Sequence, residues 1–350
     1  MDLTNAGIIG GGAWGTALST AMHRAGRSVT LWVRETEAAE QINSLHENQV
    51  FLPGIRLDPS IRATSEMADL AACDLILLVV PSQFVRSTCR DAAPHLKKRA
   101  PIIVCAKGIE TGTGALMGEV VQAELPDHPV AVLSGPTFAA EVADNLPTAI
   151  TLAVAEDEAR SDGLGGALLQ AVASLHFRPY LSGDIVGTEV GGAAKNVIAI
   201  ACGIADGLGF GSNTRAALIT RGLAEILRFA VARGGRAETL LGLAGLGDLT
   251  LTCSSTQSRN FSFGRALGQG QQADDLLGNR NSVVEGAYNA ASVVTAARQL
   301  GVAMPICEAV NALLHENVPL SVVVEGLMER PMRGEAPSLE QVVVRSGHST

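Results

Sequence analysis

The chain has 350 residues, 47% hydrophobic and 17% charged, which is ample for a packed core and excludes a disordered chain. Domains of roughly 100–200 residues make two domains the expectation. A net charge of −9 makes the chain a poor general ligand for nucleic acid, which needs a basic stripe, so an anionic ligand must be held by a few local cations.

There is no basic-plus-apolar leader, and a glycine-rich loop begins by Gly10. No uncharged apolar run reaches the ~18 residues of a membrane span. The expectation is a soluble, cytoplasmic protein without stable membrane insertion. Cysteines stand at 73, 89, 105, 202, 253 and 307, with no CxxC pair, and the histidines form no HxxxH pattern. Free buried thiols are expected, and no metal site.

AGIIG (6–10) reads as a short apolar strand, followed by a helical pattern from Gly15 to about Ala25. VTLWVR (29–34) is the second strand. CDLILLVVP (73–81) is a continuous apolar run, as a strand buried on both faces requires. PIIVCAKG (101–108) and PVAVLSGP (129–136) repeat that form, each after a helical stretch. TAITLAVA (148–155) and ASLHFRPYL (173–181) look like further strands. Strands alternating with helices imply a parallel, doubly wound sheet of the Rossmann type.

From about Asp184 the strand signal fades. The stretches beginning GTEVGG, TRAALI, AYNAAS, PICEAV and PLSVVV carry helical periodicity, and glycines, asparagines and prolines break them at sensible ends. The composition shift near 183–188 divides the chain into a dinucleotide-binding domain, 1–185, and a helical substrate-binding domain, 186–350. The helical half is apolar enough to support a homodimer. The last residues, SGHST, read as a polar tail.

IIGGGAWGTAL places Gly10, Gly12 and Gly15 in GxGxxG spacing straight after the first strand. The first glycine permits the tight turn, the second lets a pyrophosphate approach the backbone, and the third lets the helix pack on the strand. The helix N-terminus then offers unpaired N–H groups to the anion. This points to NAD or NADP. A glycine-rich turn without a ligand is the bland alternative. An NAD-selective site usually carries an acid at the end of the second strand, yet Arg34 stands there, with Glu35 next. An arginine can face a 2′-phosphate and Glu35 keeps NAD use open, so NADP, or both, is the expectation.

Lys107 in CAKGIE, SGPT (134–137) and Pro81–Ser82 all lie just past strands and would line one crevice. GAAKNVIAIACG (192–203) puts Lys195 and Asn196 on a nearly apolar helix that would close it. Hydride transfer to a ketone leaves an alkoxide that needs a proton. A desolvated lysine, its pKa drawn toward neutrality, serves as general acid and base. A snorkelling surface lysine is the alternative; the adjacent Asn196, able to hydrogen-bond a substrate, favours the first. Asp248, after the glycine-rich turn of GLAGLGDL, can hold the Lys195 ammonium. Ser258, Arg259 and Asn260 follow, with a guanidinium fork that suits phosphate, although such polar segments are more often ordinary loops.

The stretches GGGAWGTAL, VVPS, AKGIE, SGPTFAAE, GGAAKNVIAIACGIADGL, LAGLGDL, SSTQSRNFSFG, VVEG, MPI and RPMRGE, spread from about 6 to 335, together resemble the bacterial NAD(P)-dependent sn-glycerol-3-phosphate dehydrogenases. The resemblance implies reversible reduction of dihydroxyacetone phosphate to sn-glycerol 3-phosphate with NAD(P)H, feeding glycerophospholipid synthesis. It makes Lys195 the proton donor and acceptor, with Asp248 beside it as a catalytic residue. It places Lys107, Gly135, Thr137, Asn196, Asp248, Ser258, Arg259 and Asn260 around the substrate. Gly10, Gly12, Ala13, Trp14, Gly15, Arg34, Lys107, Ala139, Arg259, Val283 and Glu285 would meet the cofactor. Two positions depart from the family: Thr137 stands where serine is common, and Ala140 where lysine or arginine is common, which weakens the local electrostatics.

Three other readings compete. A related dehydrogenase could act on a hydroxy acid or on 6-phosphogluconate. A nucleotide-sugar dehydrogenase would need a nucleophilic cysteine, for which only Cys202 and Cys253 are placed. A non-catalytic NAD(P) sensor would bind cofactor and turn over nothing.

Overall fold

The structure, a computed structural model, describes residues 2–278 and 284–331. The first half runs β1 (Asn5–Ile9), α1 (Ala13–Arg24), β2 (Ser28–Trp32), α2 (Thr36–Leu45), β3 (Glu47–Asn48), β4 (Leu52–Arg56), β5 (Arg62–Thr64), β6 (Leu75–Leu78), α3 (Val85–Ala92), β7 (Ile102–Val104), α4 (Met117–Glu124), β8 (Val130–Ser134), α5 (Ala139–Ala143), β9 (Thr148–Ala153), α6 (Leu164–Val172) and β10 (Phe177–Ser182). The second half, among the described residues, is helical: α7 (Ile185–Gly207), α8 (Ser212–Ala232), α9 (Ala237–Leu240), α10 (Asp248–Cys253), α11 (Arg259–Gly268), α12 (Ala273–Gly278), α13 (Glu285–Gln299), α14 (Pro305–His315) and α15 (Leu320–Met328). The polar tail expected at the C-terminus lies outside the described residues.

The main sheet has the order β10-β9-β8-β7-β6-β1-β2-β5. The chain leaves β1 toward β2 on one side and returns through β6 on the other. This reversal makes a crevice at the carboxyl ends of β1 and β6, where ligands bind in such sheets. Alternation assigns the faces. Leu75 and Leu77 of β6 enter one apolar cluster with α1, while Ile76 and Leu78 enter another with α3 and α4. A strand covered on both sides must read as an unbroken apolar run, which is what β6 does.

The sheet is not parallel throughout. β9 pairs with β8 antiparallel, and β10 then follows β9 in parallel. The helix between β8 and β9, α5, has five residues and packs on α1. It turns the chain back along the sheet edge instead of carrying it over a face. Strand periodicity holds no information on direction, so the sequence could not show this. The sequence also left unmarked the small β3–β4 hairpin and the three-residue edge strand β5.

Helix α7 is the axis of the second half. The Asp184 carboxylate caps its start, accepting from the Gly187 N–H at 2.8 Å. Among the described residues it is the one helix long and apolar enough to cross a membrane, but 83% of its most apolar window is buried inside the protein. The helices α8, α10, α11, α13 and α14 surround it. The approach of α11 is set by glycine: a Cβ on Gly203 would lie 2.1 Å from the Phe261 carbonyl oxygen, and one on Gly264 2.1 Å from that of Ile200. The abundance of glycine thus has a structural use, since it lets α11, with Ser258–Asn260 at its start, lie directly on the helix that carries Lys195.

Candidate active site

The glycine loop meets each of its three requirements. Gly10 has φ +122°, and its Cβ position lies 2.9 Å from the Val79 carbonyl carbon, so a side chain there is excluded twice over. A Cβ on Gly12 would meet nothing within 4 Å, which leaves the backbone open to a ligand. A Cβ on Gly15 would sit 1.8 Å from the Gly10 oxygen. Helix α1, including Ala13 and Trp14, begins directly after Gly12, and no side chain caps its N-terminus. An uncapped N-terminus facing an open backbone fits a dinucleotide pyrophosphate. The Trp14 indole N–H is buried beside it without a protein partner.

The sequence reading missed Asn48. From β3 its amide donates to the Gly11 carbonyl and the Thr16 hydroxyl, both at 2.8 Å, and so pins the glycine loop from outside. Arg34 follows β2 as expected, but its guanidinium pairs with Glu35 at 2.6 Å.

Past the strand ends, three charges share one contact. Lys195 and Asp248 are both buried. The Lys195 ammonium donates to Asp248 Oδ1 at 2.7 Å and to the Thr252 hydroxyl at 2.7 Å. Lys107, just beyond β7, donates to the other oxygen of the same carboxylate at 2.7 Å and to the Gly135 carbonyl at 3.2 Å. Thr137 donates to that carbonyl as well, at 3.2 Å. Thr252 escaped the sequence reading, although it lies one helical turn after Asp248 on α10, the spacing that puts two side chains on one face.

The electrostatics follow from burial. Desolvation pulls the Lys195 ammonium down to about 8; the attraction of Asp248 opposes it and the nearby Lys107 adds to it. Burial alone would push the Asp248 carboxyl up, but two ammonium groups outweigh it and hold the group below its ordinary value. One carboxylate against two cations leaves a surplus positive charge inside a chain of net charge −9. Such a place favours an anionic substrate.

The helical half adds a second line of polar contacts. Asn260 donates to the Asn196 side-chain oxygen at 3.0 Å, and the Gly286 N–H donates to Asn260 at 2.9 Å. Ser258 is the N-cap of α11, accepting from the Phe261 N–H at 3.2 Å, and Arg259 is that helix's first residue. Glu285 opens α13 and reaches across to the turn after β6, where the Ser82 hydroxyl donates to it at 2.9 Å and the Ser82 N–H at 3.3 Å. Burial raises the Glu285 carboxyl, against these bonds and the charge of Arg259. Ala139 is the first residue of α5. Val283 lies outside the described residues.

Cys202 and Cys253 do not make a nucleophile. Both are fully buried, and burial holds the Cys253 thiol well above its ordinary value. The other cysteines are likewise free and buried.

Residues 5–160 match the family described as NAD-dependent glycerol-3-phosphate dehydrogenase N-terminus, and residues 184–325 match its C-terminus. The chain belongs to the NAD-dependent glycerol-3-phosphate dehydrogenase family. A relative from Rhodospirillum rubrum, named glycerol-3-phosphate dehydrogenase (NAD(P)+), is 53% identical over 96% of this chain and 95% of its own length. One of the same name from Caulobacter vibrioides is 53% identical over 96% of this chain and all of its own. The crystal structure of a glycerol-3-phosphate dehydrogenase from Coxiella burnetii superposes with a TM-score of 0.88 at 39% identity, covering 93% of this chain and 99% of that one.

Proposed function

We propose that this chain reduces dihydroxyacetone phosphate to sn-glycerol 3-phosphate with NAD(P)H, reversibly, with Lys195 as general acid and base. The observation that carries the reading is the Asp248 carboxylate gripped on both oxygens by Lys107 and Lys195 at the carboxyl ends of the sheet strands. A nicotinamide held beside the glycine loop would supply the hydride. The Lys195 ammonium then gives its proton to the alkoxide oxygen left at C2, and takes one back in the reverse direction. Asp248 holds that ammonium in place and keeps it charged near neutral pH. Lys107, the second cation on Asp248, stabilises the developing alkoxide. Arg259, Ser258 and Asn260 at the start of α11 take the substrate phosphate, where a helix N-terminus and a guanidinium both favour an anion. Gly135, Thr137 and Asn196 border the triose. Gly10, Gly12, Ala13, Trp14 and Gly15 hold the pyrophosphate; Arg34, Ala139, Val283 and Glu285 complete the cofactor side.

The dinucleotide-binding domain is 1–185 and the helical domain 186–350, the junction falling at the start of α7. The enzyme works in the cytoplasm as a homodimer, for which Leu208, Phe210, Val231 and Leu241 offer exposed apolar surface on the helical half. The product supplies glycerophospholipid synthesis.

The test is nicotinamide absorbance against time with dihydroxyacetone phosphate and NADH or NADPH, beside 6-phosphogluconate with NADP. Rapid oxidation with the triose phosphate alone is the expected result. Turnover of 6-phosphogluconate instead, or of neither, would move the assignment to another dehydrogenase or to a sensor.

A further inference from the structure

Asn289 lies on α13, one turn after Glu285, so the two share a face of that helix. Its side chain is fully buried. Its amide nitrogen donates to the Lys107 carbonyl at 3.0 Å and to the Ala193 carbonyl at 3.4 Å. Two backbone acceptors flank this atom, which fixes it as the NH2 end of the amide. Lys107 is one of the two lysines on Asp248. Ala193 stands two residues before the other, Lys195, on α7. The loop after β7 is pressed against this same face of α13: a Cβ on Gly108 would lie 2.8 Å from the Asn289 side-chain oxygen and 2.4 Å from Ser82 Cβ.

We propose that Asn289 is a positioning residue that fixes the distance between the two lysine-bearing backbones and so sets the bridge of Lys107 and Lys195 across Asp248. This rests on the function proposed above. One amide ties a loop of the sheet half to the central helix of the helical half. Without it, nothing on α13 joins these two carbonyls, and Lys107 drifts relative to Lys195. Asn289 touches no ammonium, so its effect passes through the lysines.

A misplacement of about 1 Å at a reacting centre costs on the order of 100-fold in rate. Asn289→Ala is therefore expected to lower kcat for dihydroxyacetone phosphate by roughly 10- to 100-fold, with NADPH affinity within about twofold of wild type. Asn289→Leu, which keeps volume but no donor, is expected to do the same. In a Lys107→Ala background the additional Asn289→Ala change should cost less than about twofold, because the group it positions is gone. Wild-type turnover of the triose phosphate is measured first; its absence overturns the proposed function and this proposal with it. Given wild-type turnover, three results overturn the positioning role alone. The first is kcat within about twofold of wild type in either single variant. The second is the same loss in both backgrounds. The third is loss of NADPH binding in both the alanine and leucine variants, which would make Asn289 a prop of the fold.

Discussion

Asp248→Asn separates charge from shape at the centre of the site. The amide keeps the size and an acceptor oxygen but removes the negative charge between two ammonium groups. With its titration drawn down to about 8, Lys195 carries its proton about ten times in eleven at pH 7. An opposite charge about 4 Å away in a medium of effective dielectric ~20 contributes ~4 kcal/mol, roughly a thousandfold in the ratio of charged to neutral lysine. Removing it leaves about one Lys195 in a hundred protonated at pH 7, and Lys107 still repels that proton. kcat for dihydroxyacetone phosphate reduction should therefore fall about 100-fold at pH 7 and recover about tenfold for each pH unit lowered. In the parent, kcat should be level below about 8 and fall above it as Lys195 loses its proton. The assay is NADPH oxidation at saturating substrate from about pH 5.5 to about pH 9.5. A variant whose loss is the same at every pH, or whose alkaline limb stays where the parent has it, refutes the reasoning.

Arg34→Ala should raise the KM for NADPH about tenfold and leave that for NADH within about twofold, since only the 2′-phosphate loses a charged donor; equal effects on both cofactors in initial-rate assays would contradict it. Burial pushes the Glu189 carboxyl up to about 8, against the hydrogen bond it accepts from the Gly118 N–H. Between the ordinary value of 4.5 and about 8 the folded chain holds a proton that the unfolded chain has released, so stability falls as pH rises across that window. Glu189→Gln should flatten the decline of Tm between about pH 6 and pH 8 in scanning calorimetry, and an unchanged slope would rule out this source. Gly203→Ala forces α11 away from α7 and should cost about 1–3 kcal/mol in urea unfolding. A midpoint equal to the parent's would mean that the contact relaxes freely.

What the sequence made legible follows from what leaves a local mark. The glycine loop, the buried strands and the helical half each impose a period or a fixed spacing on nearby residues, and all were readable. Lys195 stood out because a charge inside an apolar helix loses hydration, and the adjacent Asn196 favoured a task for it over a snorkelling surface lysine. Asp248 was readable as its partner, but the second grip on that carboxylate was not: Lys107 is distant in sequence and meets Asp248 only once the helical half folds over the strand ends. Asn48 and Asn289 carry no local signal either, since each works through a bond to a residue elsewhere in the chain; Thr252 is marked only by its spacing of four from Asp248. The antiparallel turn at β8–β9 was hidden for a related reason, because alternation marks a strand's faces and not its direction.

The most direct measurement is the Lys195→Ala variant beside the parent, read by NADPH absorbance with dihydroxyacetone phosphate and by NADPH fluorescence for binding. The parent should oxidise NADPH rapidly. The variant should lose at least about a thousandfold in kcat while binding NADPH as the parent does, because the lysine moves a proton and does not hold the dinucleotide. A variant that keeps near-normal kcat would show that some other group protonates the alkoxide, and the account of this site would be wrong.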